Sequence, residues 1–229
     1  DMHRSALPGV VVLKLRPAGK PAALMLSLAG CVGMIGMNDA GLCVCTNNLH
    51  ARKGRIGIFW PFLMRAMLEC TTLGEALALL RSTTVAGAHN YLLMNAVGET
   101  IEMERFPFTA QIRPPAGDWS VHTNHCLGSG LCAHERTDSF IGRESSRERF
   151  RQATRFLFGL KTGIQVGDLM KLTALEPDGA EHFVCMKPVP DFDMQTCAAI
   201  VMRPDSREVW IAKGRPAESS YERFELPAS

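Results

Sequence analysis

The chain has 229 residues, which is enough to bury a sizeable core. Its composition, 46% hydrophobic and 21% charged residues, is that of an ordinary soluble globular protein. Its 25 Lys and Arg residues nearly balance 23 Asp and Glu residues, so the formal charge of +2 gives no electrostatic support for a nucleic-acid partner. No apolar run approaches the roughly 20 residues of a membrane-spanning helix. We therefore expect neither a nucleic-acid nor a membrane partner.

The eight cysteines lie mostly inside apolar runs, where a free thiol behaves as a small hydrophobic side chain. A chain of this length does not need disulfides to fold, so a reducing, cytoplasmic location is predicted. The first residues lead into Pro8 and not into the apolar segment of a signal peptide. The chain starts with Asp1 instead of Met, which points to a processed or truncated product.

Apolar and β-branched segments dominate the first fifty residues. Strands are predicted at 10–16 and 22–28, joined by a turn that contains Gly19. The stretch 29–49, AGCVGMIGMNDAGLCVCTNNL, predicts two further short buried strands around a tight turn at 38–41. Such short connections favour an antiparallel meander, because parallel strands need a dozen or more residues to cross over.

The rest of the chain alternates between helical and β patterns. A capping box of Thr72 and Glu75 predicts the start of one helix. Helices are predicted at 58–69, 72–80, 146–158 and 167–172, the last capped by Asp168. Strands are predicted at 91–96, 99–104, 108–113, 119–124, 182–186, 196–202 and 207–212. This order favours one α+β domain over 1–229, an αββα sandwich with two stacked, mainly antiparallel sheets and helices on both outer faces.

A family resemblance begins in the same early stretch. GMIGMNDAGLCVCTNNL resembles the GMN-x-x-GL-x-V segment of the N-terminal-nucleophile cysteine hydrolases. Within that group the chain is most similar to the acyl-coenzyme A:6-aminopenicillanic acid acyltransferases of the peptidase C45 type, and more distantly to choloylglycine hydrolases and penicillin V acylases. Four more segments follow in the family order and extend the resemblance over nearly the whole chain: AHNYLLM at 88–94, VHTNHC at 121–126, ESSRERF at 144–150 and VMRPDSREVWIAKGRP at 201–216.

The resemblance implies an enzyme whose nucleophile is a cysteine freed at the N-terminus by self-cleavage. Its thiolate attacks a carbonyl while its own α-amine, with a pKa of roughly 7.7–8.0, acts as general base. No cysteine stands at the first position here. We therefore expect a hairpin of about 12–20 residues, carrying the nucleophile, ahead of Asp1. On that expectation the chain alone is inactive, and a cleaved N-terminal segment of the same precursor is a candidate partner.

The resemblance also assigns catalytic roles to residues that are present. Asp1 matches the aspartate that orients the nucleophile or its amine. Asn124 matches the oxyanion-hole asparagine, whose amide can stabilise a developing oxyanion by about 2.7–4 kcal/mol. Arg149 matches the arginine that favours the thiolate and holds the aspartate. Arg147 is its rival if the register differs, and an exposed helix-face charge is the alternative for both.

Asn47 and Asn48 are candidates for a second oxyanion donor, with Asn47 ranked first. Asn48, His122 and Arg147 are further candidates for the substrate pocket. The predicted function is that of an amidohydrolase or acyltransferase acting on a small linear amide or thioester, with no cofactor. The sequence leaves open hydrolysis against acyl transfer, the acyl group and its acceptor, and assembly as a homo-oligomer.

Two other classes of function remain as alternatives. The first is a catalytically inactive relative, a binding module that has lost its nucleophile. The second is a zinc protein, since five potential ligands fall within thirteen residues: His122, His125, Cys126, Cys132 and His134. Their spacing is not the paired C-x₂-C or H-x₃₋₅-H of strong zinc motifs, so zinc is the weaker alternative and no metal ligand is assigned.

Overall fold

The computed structural model describes residues 1–115, 117–136, 140–161, 163–188 and 193–226. Its largest element is a seven-stranded antiparallel sheet in which neighbours in the chain are neighbours in the sheet. The strands are β2 (Val10–Leu15), β3 (Ala23–Leu28), β4 (Ile35–Asn38), β5 (Cys43–Leu49), β6 (Ala88–Met94), β7 (Thr100–Arg105) and β8 (Ala110–Arg113). The predicted meander is therefore confirmed, and it continues through the later strands.

The predicted turn between β4 and β5 depends on a glycine and an asparagine. Gly41 has φ 81°, and a Cβ there would lie 2.7 Å from the Cβ of Ala96. The fully buried Asn38 accepts a hydrogen bond from the Leu42 N–H at 2.9 Å and donates to the Leu68 carbonyl at 3.0 Å. The amide thus closes the turn and ties it to the neighbouring helical segment.

Two helices cover one face of this sheet, α1 (Trp60–Met67) and α2 (Leu73–Ser82). The capping box of α2 is confirmed, because Thr72 and Glu75 each bind the other's backbone N–H. Alternate residues of the strands pack against the apolar side of both helices in one core. The side chains at its centre are fully buried: Met25, Val44, Leu63, Met64, Leu80 and Leu93.

A second antiparallel sheet lies against the opposite face. It contains β10 (Ala198–Arg203), β11 (Glu208–Lys213) and β12 (Tyr221–Glu225), while a short pair joins β1 (Met2–His3) to β9 (Met194–Gln195). Apolar side chains of both sheets share one core: Leu24, Met37, Cys43, Cys197, Val209 and Ile211. The two sheets are therefore stacked face to face.

The remaining helices are α3 (Phe140–Phe158) and α4 (Val166–Thr173). Because α4 contacts β10, the order of layers is helix, sheet, sheet, helix. The α+β class and the αββα sandwich are confirmed. At the start of α4, Gln165 is the N-cap, and Asp168 accepts from its backbone N–H at 3.0 Å instead of being the cap itself. None of the helices in the described ranges is long and apolar enough to cross a membrane.

Several predicted elements are wrong in detail. The segments 119–124 and 182–186 are not strands, because their polar groups bind side chains and helix ends in place of a neighbouring strand. Helix α3 begins six residues earlier than predicted, within a stretch rich in charge that lacks a clear apolar period. The strands β1, β9 and β12 were not predicted, because two have only two residues and the third has the charged sequence YERFE.

Candidate active site

The first residue of the chain is held close to the second sheet. Strand β1 pairs with β9, with Met2 opposite Gln195. This pairing brings Asp1 next to Thr196, whose hydroxyl donates a 2.6 Å hydrogen bond to Asp1 Oδ1. Thr196 Oγ1 also accepts from the Met186 N–H at 2.9 Å. One oxygen of the Asp1 carboxylate is therefore fixed, and Oδ2 is left for another partner.

That second oxygen faces Arg149, which reaches it from α3. Arg149 Nη1 lies 3.9 Å from Asp1 Oδ2, and its Nε donates to Ser145 Oγ at 3.2 Å. Its Nη2 donates to Asn124 Oδ1 at 3.0 Å. Burial lowers the pKa of Arg149 to about 10, so the guanidinium remains charged near neutral pH. One cation thus joins the predicted aspartate to the predicted oxyanion asparagine.

The amide of Asn124 is held in a defined orientation. Its Oδ1 accepts from Arg149, so its Nδ2 points the other way and donates to the Asn48 carbonyl at 3.2 Å. The backbone N–H of Asn124 donates to Ser146 Oγ at 2.8 Å. Because a guanidinium can only donate, this contact fixes which end of the amide is the donor. A partly exposed NH₂ group held in this way is suited to bind a developing oxyanion.

The two candidate asparagines of β5 lie on opposite faces of the sheet. Asn47 is opposite Asn90, which is itself opposite Glu104 on β7, so these three side chains share the face toward the second sheet. Asn48 is exposed on the other face and contributes only its carbonyl to Asn124. Asn90 is fully buried, and neither atom of its amide has a hydrogen-bond partner among the described residues. Asn47 therefore has the better placement for the site.

The two remaining pocket candidates differ from Arg149 in their surroundings. Arg147 is exposed on α3, and Arg149 is the one of the two that reaches Asn124 and Asp1. The side chain of His122 is 4% exposed, with Nε2 2.8 Å from Glu104 Oε1 and Nδ1 2.7 Å from the Thr123 carbonyl. Both ring nitrogens of His122 are therefore occupied by the protein itself.

The neighbourhood of Asn124 contains a buried hydroxyl and imidazole cluster that sequence reasoning missed. Ser146 Oγ lies 2.7 Å from His125 Nδ1 and donates to Thr123 Oγ1 at 3.0 Å. Burial, and then the nearby positive charges, lower the pKa of His125 to about 4. Because Ser146 is fully buried, this group anchors the loop on α3 and does not present a nucleophile.

The zinc alternative finds no support in this geometry. His122 faces Glu104, and His125 faces Ser146, so the two rings do not converge on one point. Cys126 donates to Glu104 at 3.3 Å, while Cys132 is exposed. In the part of the chain that the structure describes, no three metal-binding side chains are placed to share an ion.

The structure thus brings together Asp1, Asn124, Arg149 and the end of β5 near Asn47. Sequence reasoning missed their supports, Ser145, Ser146 and Thr196. The serines lie in the ESSRERF segment beside the predicted arginine, which is a local signal that could have been used. Thr196 carries no such signal, because its contact with Asp1 spans 195 residues.

Similarity to solved structures defines the fold. The fold matches penicillin V acylase from Agrobacterium tumefaciens with a TM-score of 0.62 at 13% identity, covering 94% of this chain and 75% of that chain. It matches the Caenorhabditis elegans ortholog of N-acylethanolamine-hydrolyzing acid amidase with a TM-score of 0.62 at 14% identity, covering 99% and 91%. A variant of conjugated bile acid hydrolase from Clostridium perfringens gives 0.58 at 10% identity, covering 91% and 82%. The protein has the N-terminal-nucleophile hydrolase fold.

Sequence comparison then gives the family. Residues 12–218 match the acyl-coenzyme A:6-aminopenicillanic acid acyl-transferase family, and the chain belongs to that family. One relative is the 40 kDa form of acyl-coenzyme A:6-aminopenicillanic-acid-acyltransferase of Emericella nidulans, 29% identical over 130 residues. That match covers 56% of this chain and 36% of the relative, so the chain matches about a third of the relative's length. The resemblance found in the sequence motifs is confirmed.

Proposed function

We propose that the protein is a cysteine N-terminal-nucleophile enzyme that cleaves an amide or thioester through an acyl-enzyme and passes the acyl group to water or to an amine. The observation that carries this proposal is the Asn124 amide, whose orientation is set by Arg149 and whose donor end is partly exposed. Arg149 Nη1 in turn lies 3.9 Å from Asp1 Oδ2. Membership of an acyltransferase family supports the same class of reaction.

Each residue of the cluster has a role in this proposal. A cysteine that precedes Asp1 in the full-length protein attacks the carbonyl, and its own α-amine takes the thiol proton. The carbonyl oxygen becomes an anion, and Asn124 Nδ2 donates to it with the N–H that is not bonded to the Asn48 carbonyl. Asn47 is the candidate for the second donor. As the tetrahedral intermediate collapses, the protonated α-amine returns its proton to the leaving nitrogen or sulfur, so that the amine or thiol departs and the acyl group stays on the cysteine sulfur.

Arg149 and Asp1 act on the nucleophile in this mechanism. The buried guanidinium of Arg149 favours the thiolate over the thiol, because a nearby positive charge lowers a thiol pKa. It also orients Asn124, so the same cation serves both the nucleophile and the oxyanion site. Asp1, which is fixed by Thr196, orients the nucleophile or its amine.

The eight cysteines of the chain are poorer candidates for the nucleophile. Cys197 lies near Asp1, but it is buried and its Sγ faces the Met2 and His3 carbonyls. Burial raises the pKa of Cys45 to about 12, which leaves its thiol protonated. All of these residues are also internal, so none presents an α-amine beside its thiol.

A trapping experiment tests the proposal on the full-length protein. The protein is mixed with a panel of acyl amides and acyl thioesters, quenched in acid and digested, and the acylated peptide is identified by mass spectrometry. We expect the acyl group on a cysteine at the N-terminus of the chain that contains Asp1. Intact mass of the native protein shows whether an upstream segment is cleaved and retained.

The controls separate the proposal from its alternatives. Cys197→Ala should keep the acylation, because that thiol is a packing residue. Acylation of Cys197 or of another internal cysteine overturns the assignment of the nucleophile. A full-length protein that has no cysteine ahead of Asp1, and that binds an acyl amide without being acylated, is the inactive binding module.

A further inference from the structure

A buried carboxylate on β7 lies under the loop that carries Asn124. Glu104 is fully buried, on the face of the seven-stranded sheet that is directed toward the second sheet. It accepts hydrogen bonds from the N–H groups of Leu127 at 2.6 Å and Gly128 at 2.8 Å. His122 Nε2 at 2.8 Å and the Cys126 thiol at 3.3 Å complete the set. One carboxylate therefore has four donors.

These donors keep the carboxylate ionised although it is buried. Burial alone would raise the pKa of Glu104, but the hydrogen bonds from His122, Leu127, Gly128 and Cys126 together lower that pKa to about 2. A carboxylate can only accept, so His122 donates to Glu104 from Nε2. Glu104 is thus an anion with a fully used hydrogen-bonding capacity.

The donors also bracket Asn124 in the sequence. His122 stands two residues before Asn124, and Leu127 and Gly128 stand three and four residues after it. Strand β7 is paired on both sides, by β6 and by β8, so Glu104 is attached to a rigid part of the sheet. The loop has no strand pairing of its own between these contacts. Its conformation around Asn124 therefore depends on the bonds that Glu104 accepts together with those to Ser146 on α3.

The contact with Gly128 is close enough to exclude a larger residue. A Cβ on Gly128 would lie 2.7 Å from Glu104 Oε2 and 2.7 Å from Gln111 Oε1. Such distances force a shift of the loop or of the carboxylate. The glycine thus allows the backbone N–H to approach Glu104, in the same way that glycine allows backbone to approach a ligand.

We propose that Glu104 is a positioning residue for the oxyanion site, which acts by fixing the loop 122–128 so that Asn124 can reach the reacting oxygen. This inference rests on the proposed function. It predicts that a loss of the negative charge at Glu104 acts on the chemical step through Asn124 and not on substrate binding. Displacement of a catalytic group by about 1 Å can lower the rate on the order of 10²-fold.

The test is Glu104→Gln in the full-length protein, with Glu102→Gln as the matched control. Glu102 is also buried on β7 and on the same face, but it binds Arg113 at 2.8 Å and Ser120 instead of the loop 122–128. For Glu104→Gln we expect kcat to fall by about 10- to 100-fold while KM changes less than about threefold. Glu102→Gln should keep kcat within about threefold of the parent protein.

A double variant distinguishes positioning from a general structural effect. In the Asn124→Ala background the oxyanion donor is already lost, so Glu104→Gln should lower kcat no further. Equal losses in both backgrounds overturn the inference. If Glu104→Gln does not fold, Gly128→Ala replaces it, because its Cβ displaces the same carboxylate. Gly128→Ala should then lower kcat with little change in KM. It should have no further effect on kcat when it is combined with Asn124→Ala.

The outcome also separates this inference from the proposed function. If Asn124→Ala leaves turnover unchanged, the proposed oxyanion site is wrong, whatever Glu104 does. If Asn124→Ala lowers turnover and Glu104→Gln does not, the oxyanion site stands and the positioning role of Glu104 is wrong.

Discussion

Replacing Asn124 with aspartate separates the proposed catalytic role of its amide from its structural role. The two side chains have the same shape, and a carboxylate can accept the hydrogen bond from Arg149 Nη2 as Oδ1 does at 3.0 Å. It has no donor at working pH, so it cannot bind an oxyanion. Asn124→Ala is less informative, because it also leaves the buried Arg149 with one partner fewer.

The magnitudes follow from the two contacts of the amide. Loss of one oxyanion donor costs about 2.7–4 kcal/mol of transition-state stabilisation, so kcat should fall by about 10²–10³-fold. The carboxylate of the Asn124→Asp variant would accept a hydrogen bond from the charged Arg149, and this bond should stabilise the fold by about 1 kcal/mol more than the present bond to a neutral amide. In place of the 3.2 Å bond from Nδ2 to the Asn48 carbonyl, the variant has two acceptors that must move apart, which together with the lost bond removes about 1–3 kcal/mol. The free energy of unfolding should therefore fall by no more than about 2 kcal/mol.

The assay compares turnover with stability on the same preparations of full-length protein. Release of amine from an acyl amide gives kcat and KM, and urea titration gives the free energy of unfolding. Asn95→Asp is the matched control, since it makes the same chemical change on the exposed hairpin between β6 and β7. The oxyanion role of Asn124 is refuted if Asn124→Asp folds as stably as the parent protein and keeps kcat within about threefold of the parent value.

Three further predictions concern neighbouring residues. Arg149→Lys should lower kcat by at least about tenfold, because it removes the bond that orients the Asn124 amide. Arg147→Lys, on the exposed side of α3, should not lower kcat, and equal effects of the two variants would contradict the choice of Arg149 over Arg147. Asn47→Ala should lower kcat more than Asn48→Ala, since the Asn48 side chain lies on the opposite face. Burial lowers the pKa of His125 from 6.5 to about 4 in the folded protein. This residue alone should therefore lower the free energy of unfolding by about 3 kcal/mol between pH 6.5 and 4, because the unfolded chain takes up the proton first. His125→Gln should flatten that slope in urea titrations, and an unchanged slope would mean that another group titrates.

Local signals in the sequence were enough for much of the fold. The turn at Gly41 and the capping box of Thr72 and Glu75 are both contained within a few residues, and the structure has both. The sequence predicts helix α3 but places its start at 146 instead of 140, because the first turns carry charge and no apolar stripe. Strand β12 is not predicted for a related reason. It lies at the edge of a sheet, and its Glu and Arg side chains obscure the alternation of apolar and polar residues.

The candidate site depends more than the fold does on contacts between residues that are distant in the sequence. Motifs suggest Asn124 and Arg149 as site residues, but several of the groups that contact their segments lie elsewhere in the chain. His122 is an example, because its position in a Cys/His-rich segment favoured a pocket or zinc role. Its partner is Glu104, which lies 18 residues away on β7 and has no distinguishing sequence pattern. Only the pairing of β7 in the sheet brings the carboxylate under the loop.

The choice between Asn47 and Asn48 as the candidate second donor depends on the register of one strand. Side chains alternate between the two faces of a strand, so a slip of one residue would exchange the two amides. The register of β5 is fixed by pairs along its whole length, from Cys43 opposite Met94 to Leu49 opposite Ala88. It is also fixed by burial, because Cys43 faces the second sheet. Asn47 must then face the second sheet as well, which is the face covered by the loop that carries Asn124.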